Sequence, residues 1–347
     1  MRTSRNQSLD VLRGFAILMV IGRHVPYYTF WGKIGWAGVD LFFVLSGFLI
    51  SGLLFKEYKL RRAIDFRQFI LRRGFKIWPP FCAFMLLIAV PLSFAGSFPA
   101  RQFFLSLGFL ANYVHDNYFV LGHTWSLAVE EHFYILLPLL FSVLIRSKKR
   151  QPFTVIPPLF AITAVVCLGL RVGLHPGPGS SYETQFRLDS LFAGVALSYL
   201  YHFRHSWFRR LTGHKGLLLT FLFCSPLAFL DWSSTAMQTW GFSSLFVGFA
   251  LLLAWSVERK PPGILAPLAQ IGFFSYSIYL WQQPIAVFFA HRQSFLSFWG
   301  YVTICVTVGA IMARIVEQPS LALREKLLGD SPSETDPLRT PLLQESA

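Results

Sequence analysis

The sequence predicts an all-α integral membrane protein with about ten transmembrane helices and both termini in the cytoplasm, and three observations carry that expectation. Of 347 residues, 54% are hydrophobic and only 14% are charged, whereas a soluble domain carries about 25% charged residues. The apolar residues fall in runs of roughly 20, the length a helix needs to cross a bilayer. Basic residues gather in alternate loops between those runs, the bias that holds a loop in the cytoplasm. Topology thereby explains the formal charge of +14, and nucleic-acid binding is not expected. The lipid bilayer is the first partner, and a multi-pass place in the cell (inner) membrane follows.

Taken in order, the spans are expected at about 9–28, 37–55, 77–95, 124–145, 153–172, 183–202, 216–231, 237–256, 271–290 and 296–316. The segment Phe103 to Val114 is apolar but too short to cross, and is assigned to a re-entrant or surface helix. Counting it as a span would break the alternation of charge. The loop from Lys56 to Lys76 holds eight cations, and Arg146–Arg150, Arg204–Lys215 and Arg259–Lys260 are also basic. The intervening loops hold few cations, namely Lys33, Arg101 and Arg292. Gly173–Ser181 is a Pro/Gly turn on the outer side. Residues 1–319 are expected to form one membrane domain and 320–347 a cytoplasmic tail, mostly disordered, with three prolines beyond Gly329. Arg2 and Arg5 precede the first apolar run as in a leader, but no small-residue cleavage site follows, so an uncleaved first span is expected. Cys82, Cys167, Cys224 and Cys305 lie singly in apolar runs and read as small buried hydrophobes, not disulfides or metal ligands.

Ionisable groups inside a membrane helix are costly and usually face a protein interior or a wet cavity. The first span carries Asp10, Arg13, Arg23 and His24. Arg13 and His24 fall within ~20° of each other and ~16 Å apart along one helix face, with Asp10 on the same side. Asp10 and Arg13 read as a packing pair, His24 as functional. Asp40 opens the second span at the depth of His24, where it either orients the imidazole or caps its own helix. His123, Ser126, Glu130 and Tyr134 are spaced to share one face of the fourth span. Glu130, two turns inside, is expected to serve a cavity, and Trp125 to stand in an interfacial belt; Glu131 and His132 point elsewhere.

On the sixth span Arg187 and Asp189 lie on different faces and are expected to pair with different helices. Ser275–Pro284 supplies hydroxyls and amides able to bridge helices, its aromatics being read as packing in preference to a sugar platform. Glu317-Gln318-Pro319 is read as a helix terminator only. Arg72, Arg73 and Lys76 adjoin the third span and suit phosphate binding, Arg through bidentate contacts and Lys as a point charge. Contact with anionic lipid is the alternative for such basic clusters.

Seven motifs in register resemble acyltransferase family 3, bacterial integral-membrane enzymes that O-acylate cell-surface and exported carbohydrates. They are S-L-D-V-L-R-G-F-A with the later His24, G-V-D-L-F-F-V-L-S-G-F-L-I (Gly38–Ile50), R-R-G-F-K-I-W-P (Arg72–Pro79), H-T-W-S-L-A-V-E-E-H-F-Y (His123–Tyr134), R-L-D-S-L-F-A-G (Arg187–Gly194), S-Y-S-I-Y-L-W and E-Q-P. The resemblance implies ten membrane helices, acyl-coenzyme A (acetyl-CoA) as cytoplasmic co-substrate with no permanently bound cofactor, and a carbohydrate or glycolipid hydroxyl as acceptor. The family's Arg-ten residues-His pattern lands on Arg13 and His24, its essential Glu on Glu130, and its basic motif on Arg72, Arg73 and Lys76. Three positions depart from the pattern: Lys76 replaces a second Arg, His132 a common Gln, and Gln282 a frequent His. Some members append an esterase-like domain, which is not expected here.

Together these readings predict acyl transfer across the membrane. Arg13, Arg72, Arg73 and Lys76 would hold the donor, and His24, oriented by Asp40 or Glu130, would act as general base on the acceptor hydroxyl. An acyl-His intermediate is a second possibility. Trp125, Ser126, Tyr134, Arg187 and Asp189 form an acceptor-binding or structural polar site. A proton-coupled transporter or flippase is the alternative from another class; it calls for inverted repeats and broken helices in matching halves, neither of which the sequence displays. A non-catalytic scaffold would not require polar residues converging from four spans.

Overall fold

The computed structural model describes residues 6–24, 30–114, 119–147, 150–175, 177, 180–289 and 294–329. Every regular element among them is helical. Six helical segments are long and apolar enough to cross a membrane: Ala37–Arg61, Phe66–Phe94, Phe119–Arg146, Pro152–Leu174, Met237–Val257 and Leu296–Leu328. A seventh candidate is the pair Gly263–Phe273 and Ser275–Phe289, bent by 70°. Large apolar side chains stand exposed along the outer helices, among them Leu86, Leu87, Val90, Ile162, Val165 and Phe221. Hydrocarbon, not water, is the solvent such a surface suits. The protein is a multi-pass membrane protein.

The first helix, Gln7–His24, starts where the Asn6 side chain accepts the backbone N–H groups of Ser8 and Leu9, a cap that satisfies donors no helix can satisfy internally. Asn6 also donates to the Val257 carbonyl, and the Ser8 hydroxyl donates to the Arg259 carbonyl, tying this end to the Phe242–Val257 helix. Ala37–Arg61 crosses Leu188–Phe203 at two glycines. A Cβ on Gly47 would lie 1.9 Å from the Leu191 carbonyl oxygen, and one on Gly194 2.2 Å from that of Val44. Nothing larger fits, and close backbone approach at small residues is how helices gain dispersion contact in lipid. Phe55, Phe141, Phe153 and Phe203 interlock at the far end of these helices, with ring centroids 4.8–5.7 Å apart.

Several boundaries differ from the sequence expectation. The third helix begins at Phe66, not near 77, because Asp65 caps it by accepting from the Gln68 N–H at 2.9 Å. The basic triplet is therefore part of the helix. The expected ninth span, 271–290, is broken at Phe274. The last helix does not stop at Glu317-Gln318-Pro319: it passes through a π-turn, Ala313–Glu317, and continues as Gln318–Leu328. Pro319 sits in the first turn of the continuation, where its missing N–H is no loss. Residues 320–328 are thus helical, not a tail. Phe103 to Val114 forms no span, as expected, but a short helix (Ala100–Leu107) and a 3₁₀ turn (Ala111–Tyr113). Positions 25–28 of the first expected span, parts of the Gly173–Ser181 turn, and the tail from 330 lie outside the described residues.

Candidate active site

Among the described residues, two cavities gather the polar groups of the predicted site. One, of about 510 Å³, is lined by His24 together with Arg23, Gln102, His123, Trp125, Arg187 and Gln283. The other, of about 110 Å³, is lined by Arg13, Arg73, Lys76, Glu130, Glu131, Tyr134 and Glu317. Val39 and Tyr279 line both. The Tyr279 hydroxyl is 2.5 Å from the Ser126 hydroxyl and donates to the His123 carbonyl at 2.9 Å. Its ring is thereby fixed in the wall between the two chambers.

His24 ends the first helix, and its Nδ1 stands 3.0 Å from the Val20 carbonyl one turn back. A carbonyl oxygen can only accept, so Nδ1 carries the proton and Nε2 keeps its lone pair. That is the tautomer of a base. Its orienting partner is a backbone carbonyl, which corrects the expectation that Asp40 or Glu130 does this work. Asp40 instead accepts from Arg187 at 2.9 Å, both side chains being almost fully buried. Arg187 also donates through Nε to the Ser181 carbonyl at 2.9 Å and lies 3.9 Å over the Phe242 ring. Asp40 lines neither cavity; it is a strut.

Asp189 pairs at 2.6 Å with Arg171, which further donates to the Phe186 carbonyl and the Ser243 hydroxyl. Arg187 and Asp189 thus engage different helices, as their positions on the helix implied. Asp189 lines neither chamber, and of the two only Arg187 does. Arg171, 0% exposed, was missed from sequence. A lone arginine inside an apolar run was the signal that could have found it.

Glu130 receives hydrogen bonds from Ser46 (2.9 Å) and Tyr134 (2.7 Å). It faces a cavity, but the one of Arg13 and not of His24. Of the face His123–Ser126–Glu130–Tyr134, only His123 turns to the His24 chamber, while the other three line the Arg13 chamber. Glu131 does not point elsewhere: it lines the same chamber and accepts from the Trp78 indole at 3.4 Å. His132 does turn away, meeting Thr184 at 2.7 Å. Trp125 is not a surface belt residue but part of the His24 chamber wall, stacked at 4.4 Å on Tyr182.

The basic triplet divides. Arg73 and Lys76 line the smaller chamber with Arg13, whose guanidinium is 3.4 Å from Asp10. Arg72 turns away and donates to the Leu328 and Gly329 carbonyls at 3.2 and 2.6 Å. Those carbonyls end the last helix and have no partner within it. Arg72 is a helix-end clamp, which corrects its expected place in the donor site. Glu317, read as a terminator, is held by Ser277 at 2.7 Å and faces the Arg13 chamber. The ninth-span hydroxyls and amides do bridge helices: Tyr276 donates to the Ile77 carbonyl and Gln283 accepts from the His123 N–H.

A buried imidazole lines one chamber, and three cations, Arg13, Arg73 and Lys76, line the other. A family model described as an acyltransferase domain matches residues 6–316, nearly the whole chain. The chain is a family 3 acyltransferase. This acyltransferase is similar to the O-acetyltransferase OatA of Staphylococcus aureus, 31% identical over 312 residues that cover 81% of this chain and 50% of that protein. It is also similar to the peptidoglycan O-acetyltransferase OatA of Listeria monocytogenes (27% over 318 residues; 80% and 49%). The putative peptidoglycan O-acetyltransferase YrhL of Bacillus subtilis is 28% identical over 354 residues (90% and 54%). The acyltransferase spans about half the length of these curated relatives. No solved structure matches it.

Proposed function

We propose that this enzyme moves an acyl group, in the first instance acetyl, from cytoplasmic acyl-CoA to a hydroxyl of a cell-surface or exported carbohydrate. The observation that carries the reading is the pair of chambers whose linings share Val39 and Tyr279. Arg13, Arg73 and Lys76 would take the phosphates of coenzyme A in the smaller chamber. The thioester arm would pass Tyr279 to reach His24. There Nε2 would remove the acceptor's hydroxyl proton as its oxygen attacks the thioester carbonyl. A C–O bond forms, the C–S bond breaks, and the proton passes from the imidazole to the departing thiolate. General base catalysis of this kind contributes typically ~10²–10⁴-fold.

The same reading has ten crossings, both termini in the cytoplasm, and a place in the cell (inner) membrane. Gln7–His24 has the length of a span but carries Asp10, Arg13 and Arg23 within its 18 residues, while Leu188–Phe203 and His214–Phe229 are somewhat short. With these three, the six long segments and the bent pair make ten. An even number returns the chain to its starting side, and the basic loops favour the cytoplasm for that side. A transporter would call for broken helices in matching halves; among the described residues one bent pair is found. Purified protein in detergent, given radiolabelled acetyl-CoA and a cell-wall saccharide, tests the proposal. Label should appear in the saccharide and vanish with His24→Ala; transfer unimpaired by that substitution would refute the assignment of the base.

A further inference from the structure

The His24 chamber has an aromatic wall whose construction the proposed chemistry does not use. Trp125 and Tyr182 stack with centroids 4.4 Å apart and planes at 27°. Tyr182 faces Trp232 at 6.2 Å and 20°, and Trp232 meets Trp36 at 4.6 Å. All four rings line the chamber and all are half-buried. They come from four separate places in the chain, so no single helix repeat explains their meeting. Behind them the Arg187 guanidinium lies 5.5 Å from Trp125 and 5.9 Å from Trp232, clamped by Asp40 and the Ser181 carbonyl. The guanidinium is therefore held in place behind the rings. No hydrogen bond among the described residues engages the indole N–H of Trp36, Trp125 or Trp232, or the Tyr182 hydroxyl, although such groups usually find a partner when they leave water.

Flat apolar faces rimmed by free donors fit three occupants, and the charges choose among them. A quaternary ammonium would favour an aromatic cage, but Arg187 already lies against these rings and Arg23 also lines the chamber; a further cation would be repelled. A long acyl chain would strand Arg23, Gln102, His123 and Gln283 of the same wall in hydrocarbon, at the cost of burying polar groups without partners. A sugar ring satisfies both halves. Its C–H face covers the aromatic plane, and its hydroxyls accept from the indoles and the tyrosine. We infer that Trp36, Trp125, Tyr182 and Trp232 form the acceptor subsite, which holds a neutral or anionic pyranose and presents its hydroxyl to His24. This inference rests on the O-acyltransferase reading above and adds where, and through which face, the acceptor binds.

The test uses the full chain in detergent, with N,N′-diacetylchitobiose as the probe, tryptophan fluorescence as the binding readout and acetyl transfer as the kinetic one. Trp232→Ala is expected to raise the chitobiose KM and the fluorescence midpoint about tenfold or more, the usual consequence of truncating a buried aromatic anchor. The KM for acetyl-CoA should not move. Trp232→Phe keeps the stacking face and loses only the N–H, so it should fall between wild type and Trp232→Ala; it also serves if the alanine variant does not fold. Unchanged chitobiose KM and fluorescence midpoint in a folded Trp232→Ala would overturn the subsite while leaving acyl transfer intact. Competition by tetramethylammonium would overturn it in favour of a cation site. Wild-type protein that binds chitobiose yet transfers acetyl to no saccharide would instead defeat the O-acyltransferase reading, and a sugar subsite would stand without it.

Discussion

Asp40→Asn separates a strut from a catalytic orienter. The Asp40–Arg187 pair is 2.9 Å long with side chains 4% and 2% exposed, so removing the carboxylate strands a guanidinium that the protein almost wholly buries. Breaking a buried pair from one side costs about 3–5 kcal/mol, whereas replacing both members by apolar groups of similar volume is often neutral. Arg187 keeps its bond to the Ser181 carbonyl and its place over Phe242, which puts the expected loss near the lower end, about 3 kcal/mol. For a chain of this size that corresponds to a fall in the unfolding midpoint on the order of 4 °C. The double variant Asp40→Leu with Arg187→Met should recover most of it, giving a coupling of about 2 kcal/mol or more. The assay is thermal inactivation at one scan rate in one detergent, beside acetyl transfer measured well below each midpoint. Asp40→Asn should transfer at close to the wild-type rate in the cold. A wild-type midpoint together with a hundredfold loss of transfer would refute the strut and return Asp40 to the imidazole.

His24→Ala should lower transfer by about 10²–10⁴-fold, with a small change in the unfolding midpoint as the ring loses its hydrogen bonds to the Val20 carbonyl and the Gln282 side chain; a fall below tenfold would argue against a base. Arg72→Gln should weaken the docking of the last helix and lower the midpoint, leaving the acetyl-CoA KM in place, while Arg73→Gln should do the reverse and raise that KM by about tenfold. Tyr279→Ala should open the wall between the chambers, and is expected to release free acetate from acetyl-CoA without acceptor, read by thiol release. Tyr279→Phe keeps the ring and loses the bonds to Ser126 and His123, so the acetate leak should be smaller. An equal leak from both would place the barrier in the hydroxyl, not the ring.

What could be read from sequence was whatever followed from cost. An ionisable group inside an apolar run is expensive wherever it sits, so His24, Asp40, Glu130, Arg187 and Asp189 were legible as members of a polar interior. Helix periodicity also separated Arg187 from Asp189, and the structure gives them Asp40 and Arg171 respectively. Which partner each group takes was not legible. Asp40 and His24 share a depth, but the pair that forms depends on how Leu188–Phe203 crosses Ala37–Arg61 at Gly47 and Gly194, a fact about two distant stretches. Arg72 and Arg73 are neighbours of one charge, and only the arrival of the last helix at Leu328 decides that the first clamps a helix end. The continuation past Pro319 was obscured because a proline reads as a stop, and the π-turn that lets it begin a new helical segment leaves no local signature.

Three irregular stretches of this bundle's backbone lie beside its cavities or their supports. The π-turn Ala313–Glu317 delivers the Glu317 carboxylate to Ser277 beside the Arg13 chamber. The 70° break at Phe274 sets Tyr279 across the line between the chambers and brings Gln283 to the backbone of His123. A second π-turn, Met237–Gly241, places Gln238 to accept from Ser181, whose carbonyl steadies Arg187 behind the aromatic wall. Backbone that departs from the regular helix at membrane depth is tolerated where it is enclosed by protein or lines a cavity, and π-turns concentrate at functional sites because each re-aims the side chains that follow. Three departures on three separate segments, each ending on a wall of one chamber or on its support, are hard to ascribe to packing alone. A bundle that served only to fill lipid would have no need of them.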